Sequence, residues 1–215
     1  MPQLSRHFTH LRELGGSLER FLLPAACLLC GEGMVGSVEA RPIICGLCQN
    51  RWTPLPHPLC SRCGQPVGYG IPCRICADWP AALGRVRSAV WLEGGARQAT
   101  HLLKYEGWWG VARPMAQAMR RLAPLTEGVF LIPIPLGRRR QRSRGYNQSD
   151  YIAQALEEAC GLPLRPGMLR RIRETPTQTA LTPEARRANV ADAFAATGAD
   201  GVACVLVDDV FTTGA

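Results

Sequence analysis

The sequence predicts an α/β protein built on a parallel sheet and preceded by a small domain that needs a staple. Three observations carry that expectation. From about residue 85 onward, short apolar runs alternate with stretches of helical period, as in βαβ units. Between residues 24 and 80, cysteine, proline and glycine dominate and no apolar period persists, so this segment cannot build a core alone. Near the C-terminus an apolar run ends in two aspartates and a Thr-Thr-Gly turn, and open α/β sheets bind ligands at such carboxyl ends of strands.

At 215 residues the chain has room for one medium domain and a small one. Its 47% of apolar residues excludes a disordered tail. The formal charge of +8 and pI near 9.2 favour phosphate-bearing partners. Lys104 is the only lysine; every other base except histidine is arginine, whose planar fork matches phosphate oxygens. An arginine excess also arises from genome composition, so the local clusters matter more than the total. No run is long and apolar enough for a membrane span, and the N-terminus has no apolar secretory core. A cytoplasmic location without membrane insertion is the expectation.

In chain order, Leu4, Phe8, Leu11, Leu14, Leu18, Phe21 and Leu22 recur at helical spacing, predicting an N-terminal amphipathic helix within residues 1–23, stopped by Pro24. The cysteine-rich segment follows at 24–80, and the α/β domain occupies 85–215. There, residues 88–92 predict a strand, 101–105 and 112–122 helices, and 129–134 a buried strand. Residues 149–159 predict a helix capped by Ser149. The Arg- and Thr-rich stretch 164–194 predicts a hairpin with a mobile loop, and 202–207 the last strand.

Eight of ten cysteines form CxxC pairs: Cys27 with Cys30, Cys45 with Cys48, Cys60 with Cys63, and Cys73 with Cys76. A CxxC turn points two thiolates at one ion, and two turns complete a tetrahedron. The spacing predicts two structural Zn2+ sites, closed by four sulfurs each. Sequential pairing, first with second and third with fourth, describes a double zinc ribbon; cross-bracing, iron–sulfur ligation, disulfides and free thiols are the alternatives. Cys160 and Cys204, standing alone, read as buried packing residues.

The stretch Val205 to Ala215 runs from strand to Asp208 and Asp209, then to Phe211, Thr212, Thr213 and Gly214. Two carboxylates accept hydrogen bonds from a ribose diol. Hydroxyls and a glycine let donors approach a phosphate. This segment resembles the phosphoribosyl pyrophosphate (PRPP) signature of type I phosphoribosyltransferases. The resemblance implies that Asp208 and Asp209 hold the ribose hydroxyls and that Phe211, Thr212, Thr213 and Gly214 cradle the 5′-phosphate. The family pattern continues with another hydroxyl residue and a helix, whereas this sequence stops at Ala215. The expectation is a C-terminally incomplete sheet, in a fragment or a prematurely ended reading frame.

Five arginines, Arg138, Arg139, Arg140, Arg142 and Arg144, fall within seven residues after a buried strand. They predict a loop that contacts pyrophosphate or nucleic acid, against the alternative of a solvated loop. Pro-x-Pro, these arginines, and Arg144-Gly-Tyr-Asn-Gln148 resemble the ComF family. So do the run from Leu169 to Gln178, Arg186, Arg187, Asn189 and the paired cysteines. The resemblance implies a type I phosphoribosyltransferase-like sheet after a double zinc ribbon, with residues 135–147 on pyrophosphate and 172–190 as a hood.

Two functions follow as expectations. One is a phosphoribosyltransferase-type site for PRPP or a nucleotide phosphate, with Mg2+ if catalytic, linked to competence or nucleotide metabolism. The other is a non-catalytic module for single-stranded DNA or competence proteins. The acceptor base is not legible.

Overall fold

The computed structural model describes residues 26–34, 43–122, 129–175, 182–198 and 200–212. The N-terminal amphipathic helix predicted within 1–23 lies outside them. The chain divides into two compact units, residues 1–51 and 52–215.

In the first unit an antiparallel bridge joins Ala26 to Gly33. It frames a tight turn in which Gly31 N–H bonds to Cys27 O at 2.8 Å. A single-turn helix, α1 (Gly46–Asn50), starts on Cys45, whose sulfur accepts the Cys48 N–H.

In the second unit, α2 (Gly94–Tyr105) leads through a 3-10 turn (Trp109–Val111) into α3 (Ala112–Arg120). Both helices bury one face, with Ala99, Leu103 and Ala116 fully enclosed. Strand β1 (Phe130–Pro133) follows, then α4 (Arg138–Arg144) and α5 (Gln148–Cys160). A short strand, β2 (Leu169–Arg171), is separated by α6 (Pro183–Val190) from β3 (Phe194–Ala196), and β4 (Cys204–Val207) comes last. β1 and β4 pair in parallel, with Leu131 opposite Val205 and Pro133 opposite Val207. β2 and β3 pair antiparallel, with Arg170 opposite Ala195, and α6 stands between them where a hairpin with a loop was expected. This is the mixed α/β fold with a small parallel sheet that the periodicity implied.

Four local expectations need correction. Residues 88–92 form no strand; with no neighbouring strand, Trp91 N–H bonds instead to Thr53 O at 2.9 Å. The arginine segment is a helix rather than a loop. Glu174 accepts the Arg139 N–H at its start, and Gly145, at φ 83°, ends it. The cap of α5 is Asn147, whose side chain accepts the Ser149 N–H at 3.3 Å. Cys204 is exposed and Cys160 only half-buried, so neither is a core residue. Among the described residues, no helix is long and apolar enough to cross a membrane.

Candidate functional site

The eight paired cysteines gather into two clusters, Cys27, Cys30, Cys45 and Cys48, and Cys60, Cys63, Cys73 and Cys76. The pairing is sequential, not cross-braced. In each cluster the four sulfurs lie within 4.8 Å of one another. Cys30 and Cys45 are 3.9 Å apart, Cys60 and Cys76 3.6 Å, and Cys63 and Cys73 3.4 Å. A tetrahedral zinc with sulfurs at about 2.3 Å spaces them by about 3.8 Å, so both clusters fit a structural zinc.

The turns that aim these sulfurs are copies of one device. Cys27 N–H bonds to Glu32 O and Gly31 N–H to Cys27 O; Cys60 N–H bonds to Gln65 O and Gly64 N–H to Cys60 O. Backbone N–H groups also turn toward sulfur, Cys45 and Leu29 donating to Cys27 Sγ at 3.3 and 3.4 Å. For Cys60, the Cys63 N–H outweighs burial and brings the thiol down to about 6. Burial opposes the same effect at Cys27, but donors from Cys45, Cys30 and Leu29 prevail, again giving about 6. These two thiols are prepared to meet a cation as thiolates, whereas burial pushes Cys48 and Cys63 up to about 12. The second turn is braced further. Arg62 donates to the carbonyls of Cys76, Trp79 and Pro80 at 3.0, 2.9 and 2.8 Å.

Asp208 and Asp209 stand at the carboxyl end of β4, beside the N-terminus of α5. Ser149 Oγ donates to Asp208 Oδ1 at 2.9 Å, and Gln148 Nε2 to Asp209 Oδ1 at 3.0 Å. The ammonium of Lys104, from α2, pairs with Asp209 Oδ2. Burial and the adjacent Asp209 charge push Asp208 up to about 7, against the Asp209 N–H and the Ser149 hydroxyl. Both acids border a cavity of about 380 Å³ with Trp52, Trp91, Met115, Phe211 and Thr212 on its walls, a volume that suits a small ligand. Thr213 and Gly214 lie outside the described residues.

The double zinc ribbon family model matches residues 18–77. The DNA utilization protein YhgH of Salmonella typhi is 30% identical over 201 residues, spanning 89% of this chain and 87% of that protein. The chain belongs to the ComF family. Competence protein ComFC of Bacillus subtilis is 24% identical over 221 residues, covering 94% of this chain and 88% of its own length. Competence protein F of Haemophilus influenzae is 26% identical over 187 residues, with 81% of each chain covered. No solved structure matches this chain.

The ComF-like run from Arg144 to Gln148 turns out to be the frame of the acid pair. Arg144 bonds to Gln148 Oε1 and lies 5.4 Å over the Tyr105 ring. Gly145 closes α4, and Tyr146 donates to Leu103 O, fastening α2. Asn147 caps α5 and donates to Ile134 O at 3.1 Å. Of the clustered arginines, Arg138, Arg139 and Arg142 are exposed and Arg140 and Arg144 half-buried. Burial and the charge of Arg140 hold the Arg171 guanidinium below its ordinary value, against the opposing charge of Glu174. Within the stretch expected to form a hood, Arg186 donates to Thr212 Oγ1 at 3.2 Å. Sequence reasoning missed Lys104, Ser149 and Trp79 as neighbours of this site. The uniqueness of Lys104 was the one signal available for it.

Proposed function

We propose that this ComF-family chain serves DNA utilization or competence through a type I phosphoribosyltransferase-like site for PRPP or a nucleotide phosphate, in the cytoplasm. Asp208 and Asp209 take the ribose hydroxyls; Phe211, Thr212, Thr213 and Gly214 take the 5′-phosphate; α4 faces the pyrophosphate with its Mg2+. The observation that carries this reading is the acid pair at the end of a parallel strand, on the wall of a 380 Å³ cavity. The names of the relatives support the DNA-linked role. Calorimetric titration of PRPP with Mg2+ is the test. Asp208→Asn and Asp209→Asn are each expected to weaken binding at least tenfold, about 1.4 kcal/mol. Unchanged affinity in both variants rules the site out. Pyrophosphate release with a panel of bases then separates a transferase from a binding protein.

A second reading, single-stranded DNA binding, has its own observation. Tyr105, Trp108 and Trp109 are 68%, 44% and 58% exposed. Arg144 covers Tyr105, and Trp109 stacks on Tyr151 at 5.8 Å. Arg138, Arg139 and Arg142 are exposed on the same helix as Arg144. Aromatic rings beside arginines form a platform for stacked bases and their phosphates. Trp109→Ala is expected to weaken single-stranded DNA binding several-fold and to leave PRPP affinity alone; an unchanged DNA affinity excludes the strip.

A further inference from the structure

We infer that the second cysteine cluster positions the Asp208–Thr212 loop, through a contact between Trp79 and Phe211, so that metal and loop ligand bind cooperatively. Phe211 belongs to the loop expected to hold phosphate, yet its ring is half-buried against the second cluster's core. It meets Trp79 edge to face, with centroids 5.9 Å apart and planes at 89°. Trp79 is itself part of the buried core of the second cluster, with Cys63 and Cys76; Cys60, Cys73, Leu83, Val86 and Phe211 pack against that core. The sulfur cage and the loop thus share one small apolar core.

Trp79 is held by packing. It is 6% exposed, and its indole N–H has no hydrogen-bond partner among the described residues. The guanidinium of Arg62, which fixes the turn between Cys60 and Cys63, lies 5.9 Å from the centre of the same ring. The Trp79 ring is therefore in contact with the cluster's brace and with the loop at once. If the cage opens, Cys63 and Cys76 leave the core and the ring loses its support. Phe211 then has nothing to lean on. Asp208 and Asp209, three and two residues earlier, are fixed independently by Ser149 and Gln148. The part of the loop that depends on the cluster is accordingly its phosphate end, from Phe211 to Thr212. Coupling of this kind is reciprocal: a ligand that fixes Phe211 must also tighten the second cluster's hold on its metal.

The role assigned to the ligand rests on the PRPP reading; the link between cluster and loop does not. Phe211 and Trp79 are positioning residues, and metal retention reads their effect directly. The full chain is loaded with 113Cd2+ and its two four-sulfur signals are recorded by NMR, with Cys30→Ser identifying the first-cluster signal by its loss. Phe211→Ala is expected to move the second-cluster signal alone and to speed release of that metal to a chelator about tenfold. Trp79→Phe, a milder change in case the first variant folds poorly, is expected to give a smaller effect in the same direction. Saturating PRPP with Mg2+ should slow release from the second cluster of the wild-type chain and not from that of Phe211→Ala. Equal effects on both signals, or none on the second, overturn the proposal. If PRPP fails to protect the wild type and calorimetry shows that it does not bind, the PRPP reading falls while the link between cluster and loop stands on Phe211→Ala; if PRPP binds without protecting, the cooperativity is overturned.

Discussion

Asp208 is the side chain whose surroundings make the sharpest demand. Burial and Asp209 raise it from 3.8 to about 7. Between those values the folded chain holds a proton that the unfolded chain has released, so stability falls as pH rises through that window. Above about 7 the penalty is complete, and below about 4 it is absent. Asp208→Asn keeps an acceptor for Ser149 and cannot ionise. Its stability relative to wild type, read from thermal melts, is expected to climb between about pH 4 and pH 7 and then level off, the full change reaching a few kcal/mol. A pH-independent offset in thermal melts would show that Asp208 titrates normally. Asp209 answers to Lys104 instead, its side chain 3% exposed against 21% for the lysine. Lys104→Met leaves a buried carboxylate without its counter-charge and should cost about 3 kcal/mol in urea unfolding. Lys104→Met with Asp209→Asn should recover most of that. No recovery would mean that Lys104 matters for packing rather than charge. None of these partnerships was readable in the sequence, because Ser149 meets Asp208, and Lys104 meets Asp209, only through tertiary contact.

At the scale of elements, the two cysteine turns invite comparison because they are built alike and packed differently. Gly31 and Gly64 both adopt left-handed backbone, at φ 76° and 69°. A Cβ on Gly31 would meet open space, whereas one on Gly64 would come within 2.7 Å of Val86 O. Alanine at Gly31 should therefore cost only the left-handed strain of about 1 to 2 kcal/mol. At Gly64 it must also displace a backbone carbonyl whose residue is hydrogen-bonded to Arg62 O. Metal release is expected to rise modestly in Gly31→Ala and far more, from the second cluster, in Gly64→Ala; equal rates would deny the tight seat at Val86. The turns themselves were legible, since CxxC spacing and the following glycine are local signals. The arginine helix was not. Five like charges argue against a helix until Glu174, distant in sequence, is seen at its N-terminus. The strand expected at residues 88–92 failed for the converse reason: its residues suit a sheet, but Trp91 finds Thr53 rather than another strand.

Over the whole molecule, the net charge of +8 says that anions are attracted but not which ones. The acid pair lies at the sheet end, while Arg138, Arg139 and Arg142 are exposed on α4. A polyanion and a small phosphorylated ligand therefore draw on these groups differently. Changing the three exposed arginines together to Gln should leave folding intact, since none is buried and surface substitutions usually stay within about 0.5 kcal/mol each. For single-stranded DNA, each lost phosphate contact lowers the slope of log K against log salt by about 0.7. Loss of all three contacts should flatten the slope by about 2. If α4 instead serves one pyrophosphate, the same variant weakens PRPP binding while any DNA binding keeps its slope. Fluorescence anisotropy with a labelled oligonucleotide across a salt series, beside PRPP titration of the same variant, distinguishes the two. A variant that changes neither measurement would reduce the arginine cluster to a solvated helix and leave the acid pair to carry the function alone.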